Sequence, residues 1–200
     1  MPKQTFFNLE PDKRQGVIDK AVEEFARLPF EQASLSKIVE DCGIAKGSMY
    51  QYFEDKRDLY LYIVDLAYEK KRSYVGKAFA QGGDIFQVLE EYYLQSYRFA
   101  QEQPLLHQVA NKFWDSKAEA LQAEQEQGLL GRASDFAQFL DDAMAQGEVN
   151  GDLDPEAVFF VYHAVAKDLI DYFDQRRNGQ FLKKVLDVLR LGLSARGEEK

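Results

Sequence analysis

The stretch that decides the fold is Ser34-Leu-Ser-Lys-Ile-Val-Glu-Asp-Cys-Gly-Ile-Ala-Lys-Gly-Ser-Met-Tyr-Gln-Tyr-Phe-Glu-Asp-Lys-Arg-Asp-Leu59. Ser34 is an N-cap residue type, whose hydroxyl can accept from an orphan amide of the helix that follows. Leu35, Ile38 and Val39 then fall on one inward face of a short helix. Gly43 marks its end, where a left-handed backbone is tolerated. A second short helix is expected over about 45–53, and a further one after Asp55. Two short helices locked at a fixed angle by a small shared core make a helix-turn-helix. Leu35, Ile38, Val39, Ile44, Met49 and Phe53 can supply that core.

What remains on the second helix is small and polar, the surface that fits a major groove. Lys46 offers a mobile cation, Gly47 allows close backbone approach, and Ser48 and Gln51 can hydrogen-bond to base edges or phosphates. Tyr50 and Tyr52 can reach phosphates through their hydroxyls. Lys56 opens the next helix, where its charge and the helix amides can both meet a phosphate. The DNA-facing set expected from the sequence is Ser34, Ser36, Lys37, Ala45, Lys46, Gly47, Ser48, Tyr50, Gln51, Tyr52 and Lys56.

The run Ile38–Leu59 resembles, without a gap, the TetR family signature Ile-Ala-x-x-Ala-Gly-Val-Ser-x-Gly-x-Leu-Tyr-x-Tyr-Phe-x-x-Lys-x-x-Leu. With the preceding helix the likeness covers about the first third of the chain. It implies a repressor that dimerises through its last two helices and carries a small-molecule site in a divergent C-terminal bundle. It further implies that ligand binding releases the protein from a pseudo-palindromic operator. Departures from the signature are local. Ala45 stands where the family has Ser, so the second helix lacks a cap hydroxyl. Cys42 replaces Ala, Met49 replaces Leu, and Pro29-Phe30 replaces a Gly-aromatic turn.

Outside that stretch the sequence reads all-α. Val17, Ile18, Ala21, Val22, Phe25 and Leu28 share one helical stripe,, and Pro29 stops it. Gly82-Gly83-Asp84 is a break with a cap. Ile85, Val88, Leu89, Tyr92, Ser96 and Phe99 then repeat at helical spacing until Gln103-Pro104 interrupts. Further helices are expected over 105–113, 116–146, from Asp154-Pro155 to Asn178-Gly179, and over 180–195. The division expected is a helix-turn-helix domain at 1–55, a connecting helix at 56–80, and a ligand-binding and dimerisation bundle at 81–200. Between Ala157 and Phe173 the pattern is apolar around much of the circumference, and a helix apolar on two sides must bury both, one of them against a partner subunit.

Composition fits this outline. The 200 residues carry a net charge of -9 and 46% hydrophobic residues, typical of a globular chain. Residues 1–60 hold nine Lys/Arg against eleven Asp/Glu, while 61–200 hold sixteen against twenty-three. The acidic excess therefore lies in the body, leaving a near-neutral end to approach DNA. No signal peptide or membrane-spanning run is read, and the expected location is cytoplasmic. Cys42, the single cysteine, reads as a small inert hydrophobe. Asn150-Gly-Asp-Leu-Asp resembles a calcium loop only loosely and reads as a capped turn. No metal site, cofactor or catalytic motif is found, which argues against an enzyme. Aromatic residues in the bundle suggest a mostly apolar effector pocket, with Tyr92, Tyr93, Phe113, Trp114 and His163 as candidate lining. The alternatives are a helical ligand-binding protein without DNA binding and an activator of the same family.

Overall fold

The computed structural model describes residues 1–81, 83–115, 138–158, 160–162, 164–165 and 179–193. Helices dominate, with no β-strand among the described residues. In chain order they are α1 (Gln4–Phe7), α2 (Pro11–Arg27), α3 (Leu35–Asp41), α4 (Lys46–Tyr52), α5 (Lys56–Gln81), α6 (Ile85–Glu102) and α7 (Pro104–Asp115), with Gly179–Leu193 the last. Residues 138–145, 155–158, 160–162 and 164–165 are also helical. Of the helices expected over 116–146 and from Asp154-Pro155 to Asn178-Gly179, residues 116–137 and 166–178 lie outside the described residues. No described helix is long and apolar enough to cross a membrane.

The punctuation read from the sequence is physical. Pro11 occupies the first turn of α2, where its missing N–H costs nothing,. The helix ends at Leu28, whose extended backbone precedes Pro29,. Gly43 adopts φ +64°, the left-handed geometry that ends α3 without a Cβ penalty,. Asp84 accepts from the Gln87 amide at 2.9 Å and so caps α6. Asp154 accepts from the Ala157 amide at 2.9 Å, and Asn150 from the Asp152 amide at 3.0 Å. Those two bonds make 150–154 a capped turn.

Packing divides the chain into two compact units, Met1–Arg72 with Ala100–Gln125, and Ser73–Phe99 with Glu126–Lys200. Within the first unit α7 packs along α2. The core of the first unit joins Val17, Ile18, Ala21, Val22 and Phe25 of α2 to Ile38, Met49, Phe53, Leu59, Ile63, Val109 and Phe113. Tyr60 is central to it, with ring centroids 4.9 Å from Phe25, 4.9 Å from Phe30 and 6.3 Å from Phe113.

The second unit is built around Ile85, Leu89, Tyr93, Leu140, Ala143, Val149, Val158, Tyr162 and Leu186. Tyr93 donates its hydroxyl hydrogen to the Tyr162 carbonyl at 3.0 Å, so this buried phenol is satisfied. Glu148 accepts from the Ile85 amide at 2.8 Å, tying the 147–154 loop to the start of α6.

Candidate nucleic-acid interface

The second helix of the motif, α4, has two unlike sides. Met49 and, at its C-terminal end, Phe53 are 0% and 1% exposed. The helix packs on α3, whose Ile38 and Val39 are also buried. Lys46, Gly47, Tyr50 and Gln51 are exposed, and Ser48 and Tyr52 are half-buried. The apolar residues thus fix the helix while its polar residues face outward, the partition that groove recognition requires.

Gly47 has no need to be glycine for the fold. Its backbone is helical and a Cβ added there would meet nothing within 4 Å. A glycine in an exposed helix interior destabilises it by roughly 0.5–1 kcal/mol relative to alanine. Packing within the chain therefore gives no reason for a glycine at this position.

The first helix is positioned with care. Ser34 accepts from the Lys37 amide at 3.3 Å, which is the cap expected from the sequence. Its own amide donates to Glu24 at 2.9 Å, and Arg27 donates to the same carboxylate at 2.6 Å. Glu24 is 5% exposed. Burial alone would raise its pKa, but the Ser34 amide and Arg27 together outweigh it, leaving the carboxyl below its ordinary value,. Lys37 and Ser36 are exposed. Lys37 pairs with Asp41 at 2.5 Å on the same helix. That hydrogen bond, followed by Asp41's negative charge, raises the lysine's pKa.

Lys56 has an internal role that its sequence position did not reveal. Its ammonium donates to the Phe30 and Ala33 carbonyls at 2.7 and 3.0 Å. It also sits 4.4 Å from the Phe30 ring centroid, a cation–π distance. Two of its three hydrogens therefore bind the α2–α3 turn to the start of α5. The amides there are partly committed too, since Asp58 donates to the Asp55 carboxylate at 2.8 Å.

Ala45 opens α4 with extended geometry and no side-chain cap bond, as its identity requires. The opposite end is served from far away in the chain. Lys3 donates its amide to the Tyr52 carbonyl at 2.8 Å and its ammonium to the Tyr50 carbonyl at 2.9 Å. Thr5 donates its hydroxyl hydrogen to the Gln51 carbonyl. Phe6, 0% exposed, anchors this segment with its ring 4.8 Å from Phe53 and 5.5 Å from Tyr62. The sequence reading missed these residues because no local spacing relates positions 3–6 to 50–53. Phe6 beside a second Phe was the only signal.

Of the residues proposed to line an effector pocket, the structure describes Phe113, Tyr92 and Tyr93. Phe113 lies in the first unit, fully buried and edge-on to Tyr68 at 6.3 Å. Tyr92 and Tyr93 belong to the second, Tyr92 half-buried and Tyr93 1% exposed. His163 and the side chain of Trp114 lie outside the described residues. Cys42 is half-buried, and burial followed by the charge of Asp41 pushes its thiol pKa up. That is the reverse of a reactive cysteine.

Residues 17–63 match the family model for bacterial regulatory proteins of the tetR family. A fatty acid metabolism regulator protein of Bacillus subtilis (strain 168) is 35% identical over 63 residues, 32% of this chain and 31% of its own length. The chain thus spans about a third of that curated relative. The crystal structure of a TetR family transcriptional regulator from Chloroflexus aurantiacus J-10-FL is 31% identical, with a TM-score of 0.76 over 98% of this chain and 100% of that one. The regulator FadR from Bacillus subtilis, crystallised with stearoyl-CoA, shares the fold at 19% identity and a TM-score of 0.70, over 89% of this chain and 98% of that one. The helix-turn-helix, the all-α architecture and a relative matched over its full length agree: this chain belongs to the TetR family of DNA-binding transcriptional regulators, and is not an enzyme.

Proposed function

We propose that the protein is a homodimeric repressor that binds a pseudo-palindromic operator and is released by a small, mostly apolar effector. The observation that carries the DNA half of this reading is the outward face of α4, where Lys46, Gly47, Tyr50 and Gln51 lie exposed above a fully buried Met49. Lys46 and the tyrosine hydroxyls meet phosphates, Gly47 lets the helix approach the groove, and Ser48 and Gln51 address base edges. Ser34, Ser36 and Lys37 meet the flanking backbone. Lys56 adds its one remaining hydrogen.

A second copy is supported by the last described helix. Leu186 faces the core, with Val185, Leu189 and Leu193 packed against it. On the other side Phe181, Val188 and Leu191 are exposed, the last two by 69% and 84%. Phe160 and Val161 are exposed by 71% and 44%. Apolar faces of this size are covered in stable proteins, and twofold symmetry lets one face cover its own copy. The two recognition helices then enter successive major grooves about 34 Å apart.

The effector site belongs to the helical second unit, with Tyr92 and Tyr93 among its candidate aromatics. Long-chain acyl thioesters are the first class to test, given the fatty acid regulator that resembles the DNA-reading end. Binding that favours a state with a different head separation lowers operator affinity by the ligand's differential preference for that state.

Selection of bound duplexes from a random pool, followed by salt titration, tests the reading. The wild type is expected to enrich an inverted repeat with steep salt dependence. Lys46→Ala with Tyr50→Phe is expected to weaken binding and to flatten the slope by about one for each phosphate that Lys46 no longer neutralises. No enrichment at low salt, with or without an acyl thioester present, would refute the DNA-binding reading.

A further inference from the structure

An α-helix leaves its last carbonyls without partners. In α4 the Met49 carbonyl is taken by the Phe53 amide at 2.9 Å. The next three, those of Tyr50, Gln51 and Tyr52, are taken by the Lys3 ammonium, the Thr5 hydroxyl and the Lys3 amide. The N-terminal segment therefore closes the whole C-terminal end of the helix that faces DNA. This matters because α4 is only seven residues long and has no side-chain cap at Ala45. A helix of two turns does not persist by itself in water. Its order must come from packing on one side and from whatever closes its ends.

The closing segment is itself fixed. The Phe6 amide donates to the Lys3 carbonyl at 2.9 Å, giving the segment a turn of its own. The Phe6 ring meets Phe53, Tyr62 and Tyr52 at 4.8, 5.5 and 6.2 Å. Phe53 ends α4 and Tyr62 lies on α5, so one side chain connects the segment, the end of α4 and the following helix. The polar contacts set where the last turn of α4 lies, and the aromatic contact sets where the segment lies.

We propose that residues 3–6 form a strap whose Lys3 and Thr5 are positioning residues for sequence recognition. They hold the last turn of α4, and with it Tyr50, Gln51 and Tyr52, in the geometry that the operator reads. The strap contributes to specific binding through α4 and not through contact with bases. Its effect on recognition rests on the DNA-binding reading above. Its effect on the order of α4 does not.

Two isosteric variants, Thr5→Val and Lys3→Met, and a Thr5→Ser control test it in the full-length protein. The readouts are amide hydrogen exchange across 46–53 and across α2, and affinity for the selected operator and for a scrambled duplex. Thr5→Val is expected to speed exchange in α4 about tenfold while leaving α2 unchanged. It is also expected to weaken operator binding several-fold, with scrambled-duplex affinity and salt slope unchanged because no charge was removed. Thr5→Ser should restore both. Unchanged α4 exchange in both variants would overturn the strap. So would a Lys3→Met protein with a flattened salt slope while Thr5→Val behaved as wild type, since Lys3 would then act as a phosphate cation. If the wild type selected no duplex, the DNA-binding reading would fail. The exchange measurement would still decide whether the strap orders α4.

Discussion

Two exposed helical faces of this protein differ in what they need. On α4 the outward residues are Lys46, Gly47, Tyr50 and Gln51. On the last described helix they include Phe181, Val188 and Leu191. The first face is polar and stable in water, and in the proposed reading its groups exchange water for phosphates. The second leaves apolar surface exposed, at about 25 cal/mol for each Å² that a partner could remove from water. A regulator that must release DNA is served by a binding face that stands alone. A dimer that must persist through release is served by one that does not.

The comparison predicts that disturbing what supports α4 costs more than disturbing the face itself. Phe6→Ala removes the ring between α1, α4 and α5, and a buried aromatic truncated to alanine costs about 3–5 kcal/mol. Urea unfolding should show that loss. A change below about 1 kcal/mol, the scale of an ordinary surface substitution, would mean that the N-terminal segment is not part of the cooperative unit.

On the other face, Val188→Asp with Leu191→Asp should raise the dimer dissociation constant roughly a hundredfold or more in sedimentation equilibrium, with helical content kept, because two charges would be forced into an apolar interface. A variant that stayed fully dimeric would remove the last helix from the interface.

Glu24 is the sharpest test of how α3 is held. Glu24→Ala removes the buried carboxylate that accepts from the Ser34 amide and Arg27, and a hydrogen bond to a charged group is worth about 1.5–3 kcal/mol. The pH dependence has a definite sign. The carboxyl's pKa is lowered by folding, so its contribution is fully present above the unfolded value and is lost as pH falls through the folded one. The difference in stability between wild type and Glu24→Ala should therefore shrink on acidification below about pH 4, near the unperturbed carboxylate range. A difference that grew on acidification would reverse the assignment.

The smallest effect separates fold from function. Gly47→Ala meets no atom within 4 Å and should stabilise the protein by up to about 1 kcal/mol. Operator affinity should fall at the same time. Unchanged affinity would show that the groove does not need the backbone so close.

Much of the architecture was legible because it follows from local rules. The stripe from Val17 to Phe25, the stop at Pro29, the Ser34 cap and the turn at Gly43 each depend on neighbours within a few residues. The outward face of α4 was legible for the same reason, since Met49 and Phe53 had to be buried. Lys56 shows the boundary. Its place at the start of a helix suggested a phosphate contact and gave no sign that its ammonium also holds the Phe30 and Ala33 carbonyls, 26 and 23 residues away.

By itself the sequence determined the helices from α2 to α7, the stop after α2, the cap and turn of α3, and the polar face of α4, because hydrophobic period, capping and glycine geometry act over one or two turns of chain. Only the tertiary structure decided that α7 returns to α2, that Glu24 holds the cap of α3, and that residues 3–6 close the far end of α4. Those contacts join positions from 10 to about a hundred residues apart. They are selected by which buried groups must find partners once the chain has collapsed, and no spacing along the chain records that.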